Sequence, residues 1–96
     1  MEIHIFVRFH VLEGKQAEAA GALDEVLGPT RNEPGCLTIN AFRSIRDRRL
    51  FYVHSKWKDE QAFEIHALLP HTVRFLERME TLTDDAFEVT RTEQIG

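Results

Sequence analysis

Trp57 and His66 stand nine residues apart, with Ala62 and Phe63 between them and Pro70 and His71 just beyond. An indole offers a flat apolar wall and one N–H donor. An imidazole, with an ordinary pKa of about 6.5, can take the proton of a phenol. Together they suit a small aromatic substrate whose hydroxyl must ionise before it reacts. Each also has a structural alternative: Trp57 as core filling between sheet and helix, His66 as a cap or bridge at the Pro70 break. His71, directly after that proline, is expected to satisfy backbone groups freed by the break.

Further candidates fall on the strands before and after. Phe51, Val53 and Ser55 share the parity of Trp57, so Val53 and Ser55 are expected to line the same pocket, with Ile39 and Phe63 adding apolar wall. No Ser-His-Asp arrangement is visible, so Ser55 is read as a lining hydroxyl and not a nucleophile. Arg43 shares parity with Leu37, Ile39 and Ala41, which places it at the pocket mouth, positioned to hold an anion or a developing phenolate. Arg46, Arg48 and Arg49 belong to a loop and are assigned no role. Cys36, the single cysteine, reads as a small apolar residue. No metal site is expected: His66 and His71 straddle a proline, while His4, His10 and His54 have no carboxylate at ligand spacing.

These side chains need a scaffold, and the apolar periodicity describes one. Ile3, Ile5, Val7, Phe9 and Val11 alternate with Glu2, His4, Phe6, Arg8 and His10, the pattern of a strand with one face on a core. After Glu13-Gly14, Ala20, Leu23 and Leu27 recur at helical spacing, and Gly28-Pro29 is expected to end or kink that helix. Asn32-Glu33-Pro34-Gly35 makes a turn, with glycine free to take positive φ. Cys36 to Arg43 and Leu50 to Trp57 read as an antiparallel hairpin. Asp59 caps a helix from Glu60 to the break at Pro70. A second short helix carries Val73, Phe75, Leu76, Met79 and Leu82, and Phe87 to Thr92 alternates as a last strand. The order β-α-β-β-α-β predicts an α+β, ferredoxin-like fold: a four-stranded antiparallel sheet with helices on one face.

The other face has no cover from its own chain. Phe6, Phe42 and Tyr52 fall there among His4, Arg8, Asn40 and His54. Large apolar side chains on an uncovered sheet face predict an interface, here a homodimer with two sheets face to face.

Composition narrows the function classes. With 96 residues, of which 43% are apolar and 29% charged, the chain supports one core and reads as a single domain over residues 1–96. No run is apolar for long enough to span a bilayer, so no membrane partner is expected. A formal charge of −4 with scattered basic residues gives little to neutralise phosphates, so no nucleic-acid partner is expected either. The absence of a leader-like N-terminus points to the cytoplasm.

Two stretches carry a family resemblance. Glu33-Pro34-Gly35-Cys36-Leu37 resembles the turn motif of antibiotic biosynthesis monooxygenase domains, and Trp57, Ala62, His66, Pro70 and His71 follow that family's second signature. The resemblance implies a dimeric α+β barrel. In the quinol-monooxygenase branch it implies oxidation of a phenolic or quinol substrate by O₂ as co-substrate, with no metal or organic cofactor. The chain departs from the branches in particular places. Ser55 replaces a glutamate usual in the quinol branch, Val53 stands where the aromatic-polyketide oxygenases carry asparagine, and His66 occupies about the place of the heme-degrading branch's tryptophan. The reading is therefore a cofactor-free monooxygenase with His66 and Trp57 at its centre. Two alternatives stay open: an isomerase of a small phosphorylated ketose-like compound, for which Lys56, Lys58 and the arginines would suit an anion, and a non-catalytic dimeric ligand-binding module.

Overall fold

A computed structural model describes residues 1–96. Strand β1 (Ile3–His10) leads to helix α1 (Gln16–Arg31), the hairpin β2 (Cys36–Arg43) and β3 (Leu50–Trp57), helices α2 (Glu60–Leu68) and α3 (Pro70–Glu80), and strand β4 (Glu88–Thr92). The strands form one sheet in the order β2-β3-β1-β4, antiparallel at every pairing. The chain is thus the predicted ferredoxin-like α+β fold, with β1 and β3 central because they carry the strongest alternation. Across them Ile5 faces Ser55, Val7 faces Val53 and Phe9 faces Phe51. That register puts the apolar parity of both strands under the helices, since side chains on a strand alternate with period two.

The buried face divides into two clusters. Phe9, Val11, Leu23, Phe51, Met79 and Leu82 anchor the larger one against α1 and α3. Ile3, Ile5, Trp57 and Ala62 form the smaller one beneath α2. Val7 packs against both.

Local details differ from the expectations in three places. Helix α1 does not end at Gly28-Pro29 but continues to Arg31 with Pro29 inside it. Pro29 lacks the N–H that would reach the Glu25 carbonyl and so costs the helix one hydrogen bond without ending it, and the backbone N–H groups of Asn32 and Glu33 bond to the carbonyls of Pro29 and Thr30 to finish the turn. Leu37 does not share the face of Ile39. An irregularity between Cys36 and Thr38 leaves it as an extra residue opposite β3, and it is 44% exposed, as an inserted residue in one strand of a pair dictates. Gly35 does not use positive φ, which occurs only at Gly14. Its role is space: a Cβ built there would lie 2.4 Å from the Ala62 Cβ, so glycine lets α2 sit directly on the turn before β2.

Asp59 caps α2 as expected, its carboxylate accepting from the Ala62 N–H at 2.8 Å. Leu69 then turns extended, with ψ of 146°, and Pro70 occupies the first turn of α3, where its missing N–H has no helical partner to lose. The change of axis between α2 and α3 is the feature on which the site depends. No helix is long and apolar enough to cross a membrane.

Candidate active site

Between the sheet and the helices lies a cavity of about 90 Å³ whose wall includes Ile39, Val53, Ser55, Phe63 and His66. These are five of the residues expected there. Val7, Phe9, Thr30, Thr72 and Val89 complete much of the rest. The wall is largely apolar, with the hydroxyls and one imidazole as polar exceptions. Thr30 is fully buried, and its Oγ1 is the one buried side-chain polar atom without a hydrogen-bond partner. Leaving such a group unpaired costs about 1–3 kcal/mol, so its position on a cavity wall marks a place where a bound polar atom would be favoured. The volume is below the roughly 150 Å³ that holds benzene in an engineered cavity. An aromatic ring therefore requires Phe63 or the α2–α3 junction to give way.

His66 sits in the last turn of α2, and its surroundings define which nitrogen is free. Its Nδ1–H donates to Glu33 Oε2 at 2.7 Å, with Thr72 Oγ1 3.2 Å from the same nitrogen. Nε2 has no protein partner and carries the lone pair in this tautomer. Burial pushes the His66 pKa below the ordinary histidine range, against the hydrogen bond and charge of Glu33, and the neighbouring His71 lowers it further. A neutral ring with one nitrogen pinned and the other open is the form a general base requires.

Glu33 is the site residue that the sequence did not reveal. Its carboxylate, 9% exposed, accepts from His66 and, through the same oxygen, from His71 Nε2–H at 2.8 Å. The Glu33-Pro34-Gly35 motif was visible as a turn, but nothing in it announces a partner 33 residues ahead. Although they straddle a proline, His66 and His71 converge on this carboxylate. The bend at Leu69-Pro70 returns the start of α3 toward the end of α2, bringing the two rings to 6.1 Å between centroids. His71 thus bonds a carboxylate side chain and not the freed backbone.

Trp57 lies on the expected helix-covered face but as core filling between sheet and helix, and Arg43 does not reach the mouth of this cavity. Trp57 is fully buried and lies outside the cavity wall. Its Nε1–H is spent on Ser55 Oγ at 2.9 Å, and its ring packs 4.6 Å from that of His66 and 5.9 Å from that of Phe63. The indole packs against the His66 ring and offers no wall to a ligand, because the last residue of β3 lies beneath α2 and not beside the opening. Arg43, at the end of β2, stacks over the Phe51 ring at 4.5 Å in a separate groove with Leu23, Asp24 and Leu27. Parity put it on the correct face, but strand length carries it to the far end, under α1.

The open sheet face holds Phe6, Phe42 and Tyr52 at 48%, 54% and 38% exposure. Beside them His4 Nδ1 and His54 Nε2 lie 2.8 Å apart, and the two rings stack.

No curated protein matches the sequence. Among solved structures, Rv0793 from Mycobacterium tuberculosis superposes with a TM-score of 0.93 at 20% identity, over 100% of this chain and 97% of that one. A Bacteroides thetaiotaomicron protein described as a possible oxidoreductase gives 0.90 at 20% identity, over 97% of each chain. SnoaB, a cofactor-independent oxygenase from Streptomyces nogalater, gives 0.86 at 18% identity over 97% and 92%. These likenesses establish the fold. The family model for antibiotic biosynthesis monooxygenase matches residues 2–78, a span that takes in the Glu33 turn, Trp57 and both histidines, and by that match the chain belongs to the antibiotic biosynthesis monooxygenase family.

Proposed function

We propose that this protein is a cofactor-independent monooxygenase of a small phenolic or quinol substrate, with His66 as the general base. The observation that carries the reading is the pinned imidazole: on a ring that lines the cavity, Nδ1 is held by Glu33 and Nε2 has no protein partner. Nε2 takes the substrate's hydroxyl proton, giving an imidazolium that the Glu33 carboxylate stabilises. The resulting phenolate can pass an electron to O₂, which the neutral phenol hardly can. Recombination forms a carbon–oxygen bond, and loss of water from the hydroperoxide leaves a quinone. One oxygen atom enters the ring and the other leaves as water, with the substrate supplying all the electrons. Thr30 and Ser55 are hydroxyls available to a polar atom of the substrate. SnoaB's description as cofactor-independent is consistent with such chemistry on this fold. A phosphorylated isomerase substrate is less well served, because the cavity wall contains no lysine or arginine.

The working unit in this reading is a homodimer through the open sheet face, where a second copy would cover Phe6, Phe42 and Tyr52. In an oxygen electrode, the purified chelator-treated protein should consume O₂ with one of a panel of naphthoquinols and catechols, above each compound's autoxidation. His66→Ala should remove that uptake while the dimer persists in sedimentation. Uptake equal to the blank across the panel would move the weight to the isomerase, and binding without turnover of either substrate class would favour the non-catalytic module.

A further inference from the structure

We propose that Glu33, His66 and His71 form a binding site for a single divalent transition-metal ion such as Zn²⁺, and that occupancy switches off the base. The first half stands on the geometry alone; the second rests on the reading of His66 given above.

Glu33 Oε2, His66 Nδ1 and His71 Nε2 all lie within 4.8 Å of one another. They come from three separate elements: the turn before β2, the end of α2 and the start of α3. All three side chains are largely withdrawn from water, at 9%, 12% and 22% exposure. Two imidazoles and one carboxylate are nitrogen and oxygen donors that suit zinc and its transition-metal neighbours, whereas calcium and magnesium demand oxygen. Metal–ligand bonds of about 2.0–2.1 Å in a tetrahedron hold ligand atoms about 3.3 Å apart. The N···O separations of 2.7 and 2.8 Å need to open by roughly half an ångström, and the two ring nitrogens, up to 4.8 Å apart, need to close by up to about 1.5 Å, so both rings must turn toward the ion as it binds. A water would complete the tetrahedron, as in three-ligand zinc sites.

His71 is the most exposed of the three. It also lines a surface groove between α1 and α3 with Glu25, Arg74 and Arg78. Arg78 is paired with Glu25 at 2.7 Å, which leaves Arg74 as the groove charge that opposes a cation. The Glu33 carboxylate, with two neutral imidazoles, offsets part of a divalent charge in a poorly hydrated place.

The coupling follows from counting protons. Each N···O contact holds a proton, on His66 Nδ1 and on His71 Nε2. A metal needs those lone pairs, so in each neutral ring the proton moves to the other nitrogen. For His66 the other nitrogen is Nε2. The lone pair that would accept the substrate's proton becomes an N–H donor, and the base is lost without any change in charge on the ring. The ion would lie on the Glu33 side of His66, at Nδ1 and not at Nε2.

The test is titration of the chelator-treated full-length protein with Co²⁺, following the visible absorption of tetrahedral cobalt, and with Zn²⁺ by calorimetry. The expected result is one ion per chain, with affinity falling by at least about tenfold in Glu33→Gln and again in His71→Gln. His10→Gln should leave it unchanged, although His10 also contacts carboxylates, at Asp84 and Asp47. Equal affinity in wild type and the Glu33→Gln, His71→Gln double variant would overturn the site, as would the absence of a tetrahedral cobalt spectrum. Nitrogen NMR of the zinc-loaded protein should show the His66 proton on Nε2; a proton retained on Nδ1 would overturn the coupling. Where oxygen uptake is measurable, Zn²⁺ should suppress it and chelator restore it, whereas unchanged uptake at full occupancy would refute the switch and leave the site standing. The cobalt and NMR readouts need no substrate, so a failure of the oxygenase reading does not disturb them.

Discussion

A pair of histidines lies on each side of this sheet, one carried by the covering helices and one by the strands themselves, and the pairs are built on opposite principles. Under the helices, His66 and His71 meet across a carboxylate, each donating to Glu33. On the open face, His4 and His54 bond directly to each other with no acid between them. A shared carboxylate orients both rings, selects a tautomer and can offset added positive charge. A direct imidazole pair has one proton between its nitrogens, so protonating both rings breaks the bond and sets like charges together. One arrangement is suited to moving a proton or holding a cation. The other is weakened when both rings are protonated, and it lies on the surface that the proposed dimer would cover.

The contrast can be broken most forcefully from beneath the covered face. Trp57→Ala removes a fully buried indole that backs His66 and bonds Ser55, and it should cost roughly 3–5 kcal/mol, read as a lowered urea midpoint. Trp57→Phe should recover much of that stability. Should turnover be found, Trp57→Phe should retain most of it, since the indole is outside the cavity; complete loss would return Trp57 to the chemistry. Gly35→Ala comes next, because its Cβ would strike that of Ala62 with backbone on both sides. We expect roughly 1–3 kcal/mol of destabilisation, visible in the melting temperature, and displacement of the Glu33 turn from His66.

The open face is probed by pH. Burial, then the neighbouring His4, lowers the His54 pKa below the ordinary 6.5. A histidine depressed in the fold favours its neutral form there, so the unfolded chain binds more protons as pH falls. Its contribution to stability is complete above about pH 6.5 and is lost as pH drops through the window below that value. His66 titrates in the same direction, so the informative quantity is a difference. Between about pH 7.5 and pH 5.5 the wild type should lose more stability than His54→Gln, and equal losses would show that the direct pair senses nothing. Other charges on this face, at Arg8, Lys56 and Glu88, are common to both proteins.

The smallest expected effect is Thr30→Val. Replacing an unpartnered buried hydroxyl with a methyl should leave stability unchanged or raise it by up to about 1 kcal/mol, measured by urea denaturation. A clear loss would mean that the hydroxyl has a partner, such as a water, in solution.

The sequence alone determined the set of elements and, outside the bulge at Leu37, the side of the sheet on which the strand residues lie. Alternation through Ile3, Ile5 and Phe9 and through Phe51, Val53 and Ser55 is local information, because strand geometry repeats every two residues and needs no knowledge of the partner. The same holds for the Asp59 cap, the Pro70 break and the turn at Glu33-Pro34-Gly35. His66, Ser55, Val53, Phe63 and Ile39 were legible as a group since parity and helical spacing both aim them between the same layers. Distances along an element were less legible, which is why Arg43 lay on the expected face yet at the wrong end. Tertiary structure alone decided the rest. The bulge at Leu37 follows from how β2 must meet β3, and the burial of Trp57 follows from α2 sitting down on Gly35. Above all, Glu33 reaches His66 and His71 only because the Leu69-Pro70 bend turns two helices toward a turn far behind them in the chain. A hydrogen bond acts over about 3 Å, and no spacing of residues in a sequence specifies that distance until the fold has closed.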